Sequence, residues 1–441
     1  MATRSAFSSV SYRSESSFCE EDTDGTLYKD FSGGHVLDFN ITSIKPVTDA
    51  PSYEPMEARR GPYEVAPYPD SYVASGAYID RGAPGNVEGE LNVLRNLGTI
   101  DLANVNSDPI VRLFSSSFRS STTPSVRTLT VSASSEDQAF EVTEGESADL
   151  KTGALIGFFD TKNKLHVTRI VGRSIAAGVA TMRYSPALPA ELEDDDVIHL
   201  SKSFGSALDD SDVGSSGALD LHGEGFRQIL GGTRIQDLEF ILRDHLLAAK
   251  VNFAFGASHI TSTNNALSNI AEYPYFPAGS QTLSSLAGSF FASSAIDYAD
   301  ADAPRVAGRL PIDYDEATIK ISNVLKNVQR FGGFSGLSDI KVADTKFEAS
   351  FKQIEDASET LRNDFHTRTY RTYCQSYGPG AGFGIVIPAA FTTVSGKAVE
   401  MDGELGIYNF NLKAGRPMTE TIAVGETGHL ANCPIVFGFI L

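Results

Sequence analysis

The 441-residue sequence contains no tryptophan and only three cysteines. Lack of tryptophan removes a common sugar-stacking side chain and weighs against a carbohydrate-binding module. Cys19, Cys374 and Cys433 lie far apart and form no CxxC pair. They therefore suggest no disulfide framework, which fits synthesis in a reducing cytoplasm. No apolar run reaches the ~18 residues that would point to a membrane span. The segment Met1 to Phe31 is polar and serine-rich, without the apolar core of a secretory signal, so no such signal is expected. No basic run occurs, and the net charge is -20. That balance argues against a surface that grips nucleic acid or an anionic membrane, because phosphate binding needs clustered Lys and Arg. The excess of acid serves solubility, or it lines a passage through which DNA slides without sticking.

Catalytic signatures are missing as well. There is no HExxH, GxSxG or GxxxxGK[ST]. The cluster Gly378-Pro379-Gly380-Ala381-Gly382-Phe383-Gly384 has the wrong spacing for a dinucleotide site and precedes a strand pattern, so it reads as a turn. Glu20-Glu21-Asp22-Thr23-Asp24-Gly25 resembles the start of a calcium loop, but its twelfth position is Phe31 where a bidentate Glu is needed. The acidic run Glu191 to Asp196 reads as a solvated turn. His222, His245 and His259 are not at ligand spacing, and His166 alternates with apolar neighbours as a packed strand residue does. Cys374 and His366 would form a nucleophile pair only with an orienting third group, which the sequence does not supply. No catalytic, cofactor-binding or metal residue is assigned, and the chain is expected not to be an enzyme.

What the sequence has is apolar content of 41% against 21% charged, enough to bury a core, and a length suited to two or three domains. Gly, Ser and Thr punctuate short alternating runs, the pattern of a mainly β protein. One order of elements occurs twice. The first pass opens with Leu37, Phe39 and Ile41 on one strand face, followed by Val87 to Val93. A short helix comes next, with Asp108 at the N-cap, Pro109 at the first helical position, and Ile110, Leu113, Phe114 and Phe118 at helical spacing. Strands bearing Leu238, Phe240, Leu242 and then Val251, Phe253, Phe255 close it. The second pass runs through Ala317 to Ser322, the alternation of Phe347, Ala349 and Phe351, and a helix from Asp356 with Leu361 and Phe365. It ends with Gly384 to Val394 and a strand bearing Tyr408, Phe410 and Leu412.

Serine-rich stretches at 115–123 and 203–216 interrupt the first pass. Between them, Val126 to Val131, Phe140 to Val142, Leu155 to Phe159, Leu165 to Val171 and Val179 to Tyr184 read as strands of a small inserted domain. The expected division is an N-terminal arm, 1–30, then a first module formed by 31–124 and 204–257. The inserted β domain takes 125–203, a connecting or interaction segment 258–316, and a second module 317–441. The apolar end Pro434 to Leu441 must be buried.

Three segments carry a family resemblance. They are Ser14 to Glu20, Phe226-Arg227-Gln228-Ile229-Leu230-Gly231-Gly232-Thr233-Arg234-Ile235-Gln236-Asp237-Leu238-Glu239-Phe240, and Gly382-Phe383-Gly384-Ile385-Val386-Ile387-Pro388 with the strands after it. Together they resemble the tail tube proteins of long-tailed, siphovirus-type bacteriophages. Ser185-Pro186-Ala187-Leu188-Pro189, with the acidic stretch and Val197-Ile198 that follow, resembles the small β insertion of that family. Residues 45–85 and 258–316 match nothing in it.

The resemblance implies a fold of two tandem β-sandwich or barrel modules, each with a short helix, plus the inserted domain. It implies a structural virion protein, made in the host cytoplasm, whose rings stack head to tail into the phage tail tube. Two modules per chain imply trimeric rings with pseudo-sixfold symmetry, and one module per chain would imply hexameric rings. The implied partners are tape measure, terminator and distal tail proteins, and genomic DNA passing through the lumen without specific binding. No membrane and no cofactor are implied. Faces such as Asp237/Glu239 and Asn409/Asn411 are candidates for the lumen, and the insertion is expected to decorate the outside. Two other readings stay open: a phage major capsid protein, favoured by the arm and by a helical reading of Leu238 to Lys250, and a secreted carbohydrate-binding or adhesin module.

Overall fold

The computed structural model describes residues 7–21, 23, 27–31, 35–37, 39–45, 84–91, 102–135, 138–188, 192–207, 210–223, 226–243, 246–261, 288–294, 310–311, 314–329, 337–354, 366–378, 382–394, 400–402, 405–415, 420, 422 and 425–441. The expected helix at 356–365, and most of the stretches 45–85 and 258–316, lie outside the described residues.

The protein is mainly β and antiparallel throughout. The first strands are β1 (Phe7–Ser14), β2 (His35–Leu37), β3 (Phe39–Lys45) and β4 (Gly85–Leu91), followed by α1 (Pro109–Ser115). Eight short or medium strands come next: β5 (Arg119–Ser120), β6 (Thr128–Thr130), β7 (Ala133–Ser135), β8 (Ala139–Thr143), β9 (Leu155–Phe159), β10 (Leu165–Ala176), β11 (Val179–Ser185) and β12 (Val197–Gly205). Then come β13 (Gly217–Gly223), β14 (Phe226–Arg243), β15 (Leu246–Phe255) and β16 (Ala257–Thr261). The remainder is β17 (Phe290–Ser294), β18 (Leu310–Pro311), β19 (Tyr314–Gln329), β20 (Leu337–Ile354), β21 (Tyr370–Tyr377), β22 (Phe383–Val394), β23 (Glu400–Asp402), β24 (Leu405–Ala414) and β25 (Val436–Ile440).

One pairing pattern occurs twice. In the first repeat β1 pairs with β2 and β13, β13 with β14, β14 with β15 and β16, β15 with β4, and β4 with β3. In the second repeat β17 pairs with β18 and β21, β21 with β22, β22 with β24 and β25, β24 with β20, and β20 with β19. Register agrees as well as order. The row Ile44, Val87, Phe253, Ile235 corresponds to the row Ile319, Ala349, Leu412, Thr392. Even a bulge recurs: β14 gains a residue between Leu230 and Thr233 opposite β13, and β22 gains one between Ile387 and Ala390 opposite β21. Among the described residues one joint welds the repeats into one sheet, where β14 from Asp237 to Leu242 pairs with β19 from Ala317 to Ser322.

Alternation builds the core side of this sheet. Leu238, Phe240, Leu242, Val251, Phe253, Ile319, Ile321, Ala349, Phe351, Phe410 and Leu412 all turn inward and are buried. The helical reading of Leu238 to Lys250 does not hold. Residues 238–243 end β14 and residues 246–250 begin β15, and the inward residues of both follow a period of two. Helix α1 begins as its caps dictate, with Asp108 accepting from Ile110 N at 2.9 Å and Val111 N at 3.2 Å. It buries Ile110, Leu113 and Phe114 against the sheet.

Segment 128–200 forms its own sheet around Leu129, Val131, Phe140, Val142, Ile156, Ile170, Met182, Tyr184 and Ile198. It is tied to the rest of the chain by β12, whose start pairs with β6 and β9 and whose end pairs with β5 and β25. A buried Arg169–Glu420 ion pair adds a second tie.

The two repeats differ in what covers them. On the second, Leu155, Leu165 and Val167 of the insertion pack on Cys374, Val386, Val436 and Ile440. On the first, the corresponding face around Ile229, Ala218 and Ala257 is covered by Phe18, Cys19, Leu27 and Phe31. The described part of the segment expected as an N-terminal arm is thus built into the fold: β1 sits between β2 and β13, and Phe18, Cys19 and Leu27 lie over the sheet. Glu15 pins this segment, accepting from Gly232 N at 3.0 Å and Ser216 Oγ at 2.7 Å.

The charged face of the sheet

The outward residues of the sheet make a polar face that crosses both repeats. Across the strands one row reads Glu90, Lys250, Glu239, Lys320, Glu348, so acid and base alternate at each step. The neighbouring row reads Glu88, Asn252, Asp237, Ser322, Lys346. A third, Ile241, Thr318, Ser350, Asn411, Thr393, carries no charge. Opposite charges directly across a strand pair attract, so the alternation favours this register. Two open hollows of about 230 and 400 Å³ lie on the face and share Glu239 and Lys320 in their linings.

Polar contacts fix the centre of the face. Asp237 Oδ1 accepts from Ser322 Oγ at 2.6 Å, and its Oδ2 accepts from Asn252 Nδ2 at 3.3 Å. Lys320 Nζ lies 3.6 Å from Asp237 Oδ1, and Lys352 Nζ lies 3.4 Å from Glu316 Oε2. The face carries the carboxylates Glu88, Glu90, Asp237, Glu239, Glu316 and Glu348 beside Lys250, Lys320, Lys346, Lys352 and Lys413. The chain's charge of -20 is therefore not concentrated here. Asp237, Glu239 and Asn411 share this face, whereas the side chain of Asn409 lies outside the described residues.

The residues weighed as chemical sites sit elsewhere. Cys374 is buried in β21 and its thiol donates to Val167 O at 2.8 Å, while His366 is exposed in a helical turn. His166 is a packed strand residue, with Nε2 3.2 Å from Asp160 Oδ2 and Nδ1 3.3 Å from Ser289 Oγ. In the acidic stretch before β12, Glu193 N donates to Asp196 Oδ2 at 2.7 Å, closing a turn. Burial alone would raise the Glu20 carboxyl, but hydrogen bonds from Arg13 and Ser16 and the charge of Arg13 outweigh it and hold the group below its ordinary range. Among the described residues no three His, Cys, Asp or Glu side chains come together as metal ligands.

The glycine cluster has a packing role that spacing did not reveal. A Cβ at Gly382 would meet Leu165, and one at Gly384 would meet Val167, so these glycines let the insertion approach β22. No protein-family model matches the sequence, and no curated protein matches it.

Proposed function

We propose that this chain is the tail tube subunit of a long-tailed bacteriophage, a structural virion protein whose rings stack into the conduit for DNA ejection. The observation that carries the reading is the recurrence of one pairing pattern, in register, within a single sheet. A sheet built by repetition leaves edges that further repeats satisfy, and closure into a ring removes them. Two repeats per chain make three chains the unit that supplies six modules.

The polar face suits the bore. DNA adheres where lysines release counterions from phosphates. Here each lysine in the charged row stands between carboxylates, so few cations are left to bind a passing duplex. Rings stacked head to tail make a heterologous contact, which extends into a filament. In the virion such a tube would meet tape measure, terminator and distal tail proteins.

Electron microscopy of the purified protein, concentrated until it assembles, tests the reading. Hollow tubes of stacked rings with threefold symmetry are expected. Strictly sixfold rings would overturn the trimer, closed shells would favour a capsid protein, and persistent monomers would favour an adhesin or carbohydrate-binding module.

A further inference from the structure

Two fastenings hold the residues that cover the first repeat, and they differ in charge balance. The fastening at Lys29 to Phe31 is neutralised. Arg227 donates to Lys29 O at 2.7 Å, lies 5.6 Å from the centre of the Phe31 ring, and bonds Asp220 through Nε at 2.9 Å and Nη2 at 2.6 Å. His222 Nε2 lies 3.0 Å from the same carboxylate. The fastening at Glu15 is not neutralised. Its carboxylate is buried and accepts from Gly232 N and Ser216 Oγ, yet no cation pairs with it among the described residues. Arg13 acts on it only from a distance, because the guanidinium is bonded to Glu20 at 2.6 Å. Other charged groups on the elements packed against it have partners elsewhere. Arg112 of α1 bonds Asn106 O at 3.2 Å, and Arg234 of β14 bonds Gly214 O at 3.1 Å and lies 3.6 Å from Asp339. Tyr12 stays neutral, since burial pushes its hydroxyl up to about 12.

Packing under Glu15 is direct. A Cβ at Gly232 or Gly256 would meet Phe18 and Cys19, and one at Gly231 would meet Leu27 and the Glu15 carboxylate. Cys19 takes the left-handed conformation at φ 48, which is unfavourable for a residue with a side chain. Burying a charge without a counter-ion is costly, so a neutral Glu15 holds the segment and an ionised one loosens it. We propose that Glu15 to Cys19 form a pH-released clasp: ionisation of Glu15 frees Phe18 and Cys19 from Gly232 and Gly256, while the Arg227 fastening and the sheet beneath stay folded. Opening bares Ala218, Ile229 and Ala257, the counterpart of the face that the insertion covers on the second repeat. Burial sets the direction, raising the Glu15 carboxyl to about 7 from an ordinary 4.5. The closed form is therefore fully favoured below about pH 4.5, and the opening equilibrium rises on the order of a hundredfold by about pH 8. The clasp belongs to the single chain and does not depend on the tube reading.

Cys19 reports the clasp. Dithiodipyridine labels thiols in acid as well as at neutral pH, and mass spectrometry of the unassembled full chain follows each cysteine separately. Cys374 and Cys433 share a different buried cluster and report global opening. Glu15→Gln keeps an acceptor and cannot ionise, so dividing the wild-type rate by the variant rate at each pH cancels the intrinsic reactivity of the thiol. For Cys19 that ratio should rise on the order of a hundredfold from about pH 4.5 to 8, with Cys374 and Cys433 protected throughout. Phe18→Ala loosens the same contact without removing the titration. It should speed Cys19 labelling at every pH and leave the pH dependence in place. If Glu15→Gln does not fold, free glutathione supplies the reference rate instead. A ratio that stays flat with pH would overturn the clasp, and so would labelling of Cys19 only in step with Cys374 and Cys433.

Discussion

Asp237 and Lys320 are diagonal neighbours across the β14–β19 joint between the two repeats, with Lys320 Nζ 3.6 Å from Asp237 Oδ1. They are not equal partners. Asp237 also accepts from Ser322 and Asn252, so it gathers donors from two neighbouring strands, whereas the lysine is 43% exposed. Exposed ion pairs are worth up to about 1 kcal/mol, and hydrogen bonds to a charged group about 1.5–3 kcal/mol. Asp237→Ala should therefore cost about 2 kcal/mol in urea unfolding, and Lys320→Ala less than about 1 kcal/mol. Equal losses would mean that the ion pair, not the hydrogen-bonded carboxylate, holds the joint.

The Arg169–Glu420 pair carries a larger effect because both side chains are completely buried. Glu420 Oε2 also accepts from Asn432 N at 2.7 Å, and Arg169 Nη1 donates to Cys433 O at 3.3 Å. Removing one partner leaves a buried charge without its counter-ion, at a cost of about 3–5 kcal/mol. Glu420→Ala is expected to lose that much. Arg169→Met/Glu420→Leu should recover most of it, since apolar groups of similar volume replace buried ion pairs at little cost. A double variant as unstable as the single one would show that the backbone contacts of Arg169, rather than charge balance, set the cost.

The repeat was legible where a strand has one wet face. Leu238, Phe240 and Leu242, or Phe347, Ala349 and Phe351, alternate with polar residues because one side of their sheet is polar. β25 shows no alternation, since Val436 to Ile440 are buried on both sides between β12 and β22. β21 was invisible for the opposite reason: its buried Thr372 and Ser376 look like surface residues. Each instead donates its hydroxyl to a backbone carbonyl, of Pro388 and Leu165 respectively. The charged row could not be read at all, because Glu90, Lys250, Glu239, Lys320 and Glu348 become neighbours only through pairing between distant strands.

Glu15 makes stability depend on pH in an unusual direction. Burial pushes its carboxyl up to about 7, against the opposing hydrogen bonds from Ser216 and Gly232 and the charge of Arg13. The folded chain then binds this proton more tightly than the unfolded chain, whose carboxyl titrates near its ordinary 4.5. The contribution is complete below about pH 4.5 and is lost as pH rises through about 7. Glu15→Gln keeps an acceptor for Gly232 N and removes the titration. Measured against wild type by urea unfolding, the variant should gain up to about 3 kcal/mol in relative stability between pH 4.5 and 8. A difference that stays constant across that range would show that the carboxyl is ionised throughout.

Phe437 gathers the parts of the fold at one point. Its ring lies 5.6 Å from those of Phe114 on α1 and Phe204 on β12, and 5.2 Å from Phe118. It also lies 5.5 Å from Phe240 on β14 and 6.3 Å from Phe383 on β22. One side chain thus touches both repeats and the strand that leaves the insertion. Truncating a fully buried Phe costs about 3–5 kcal/mol through lost transfer energy and the cavity left behind. Phe437→Ala should lose this amount, and Phe437→Leu less, because Leu fills most of the space. Ile175, 44% exposed at the tip of the β10–β11 hairpin, supplies the comparison, since its change to Ala should stay within about 0.5 kcal/mol. If the repeats and the insertion unfold as one unit, Phe437→Ala lowers a single transition followed by calorimetry. If the insertion is a separate unit, the variant splits the transition, leaving the part built around Phe140 and Ile170 at its wild-type midpoint.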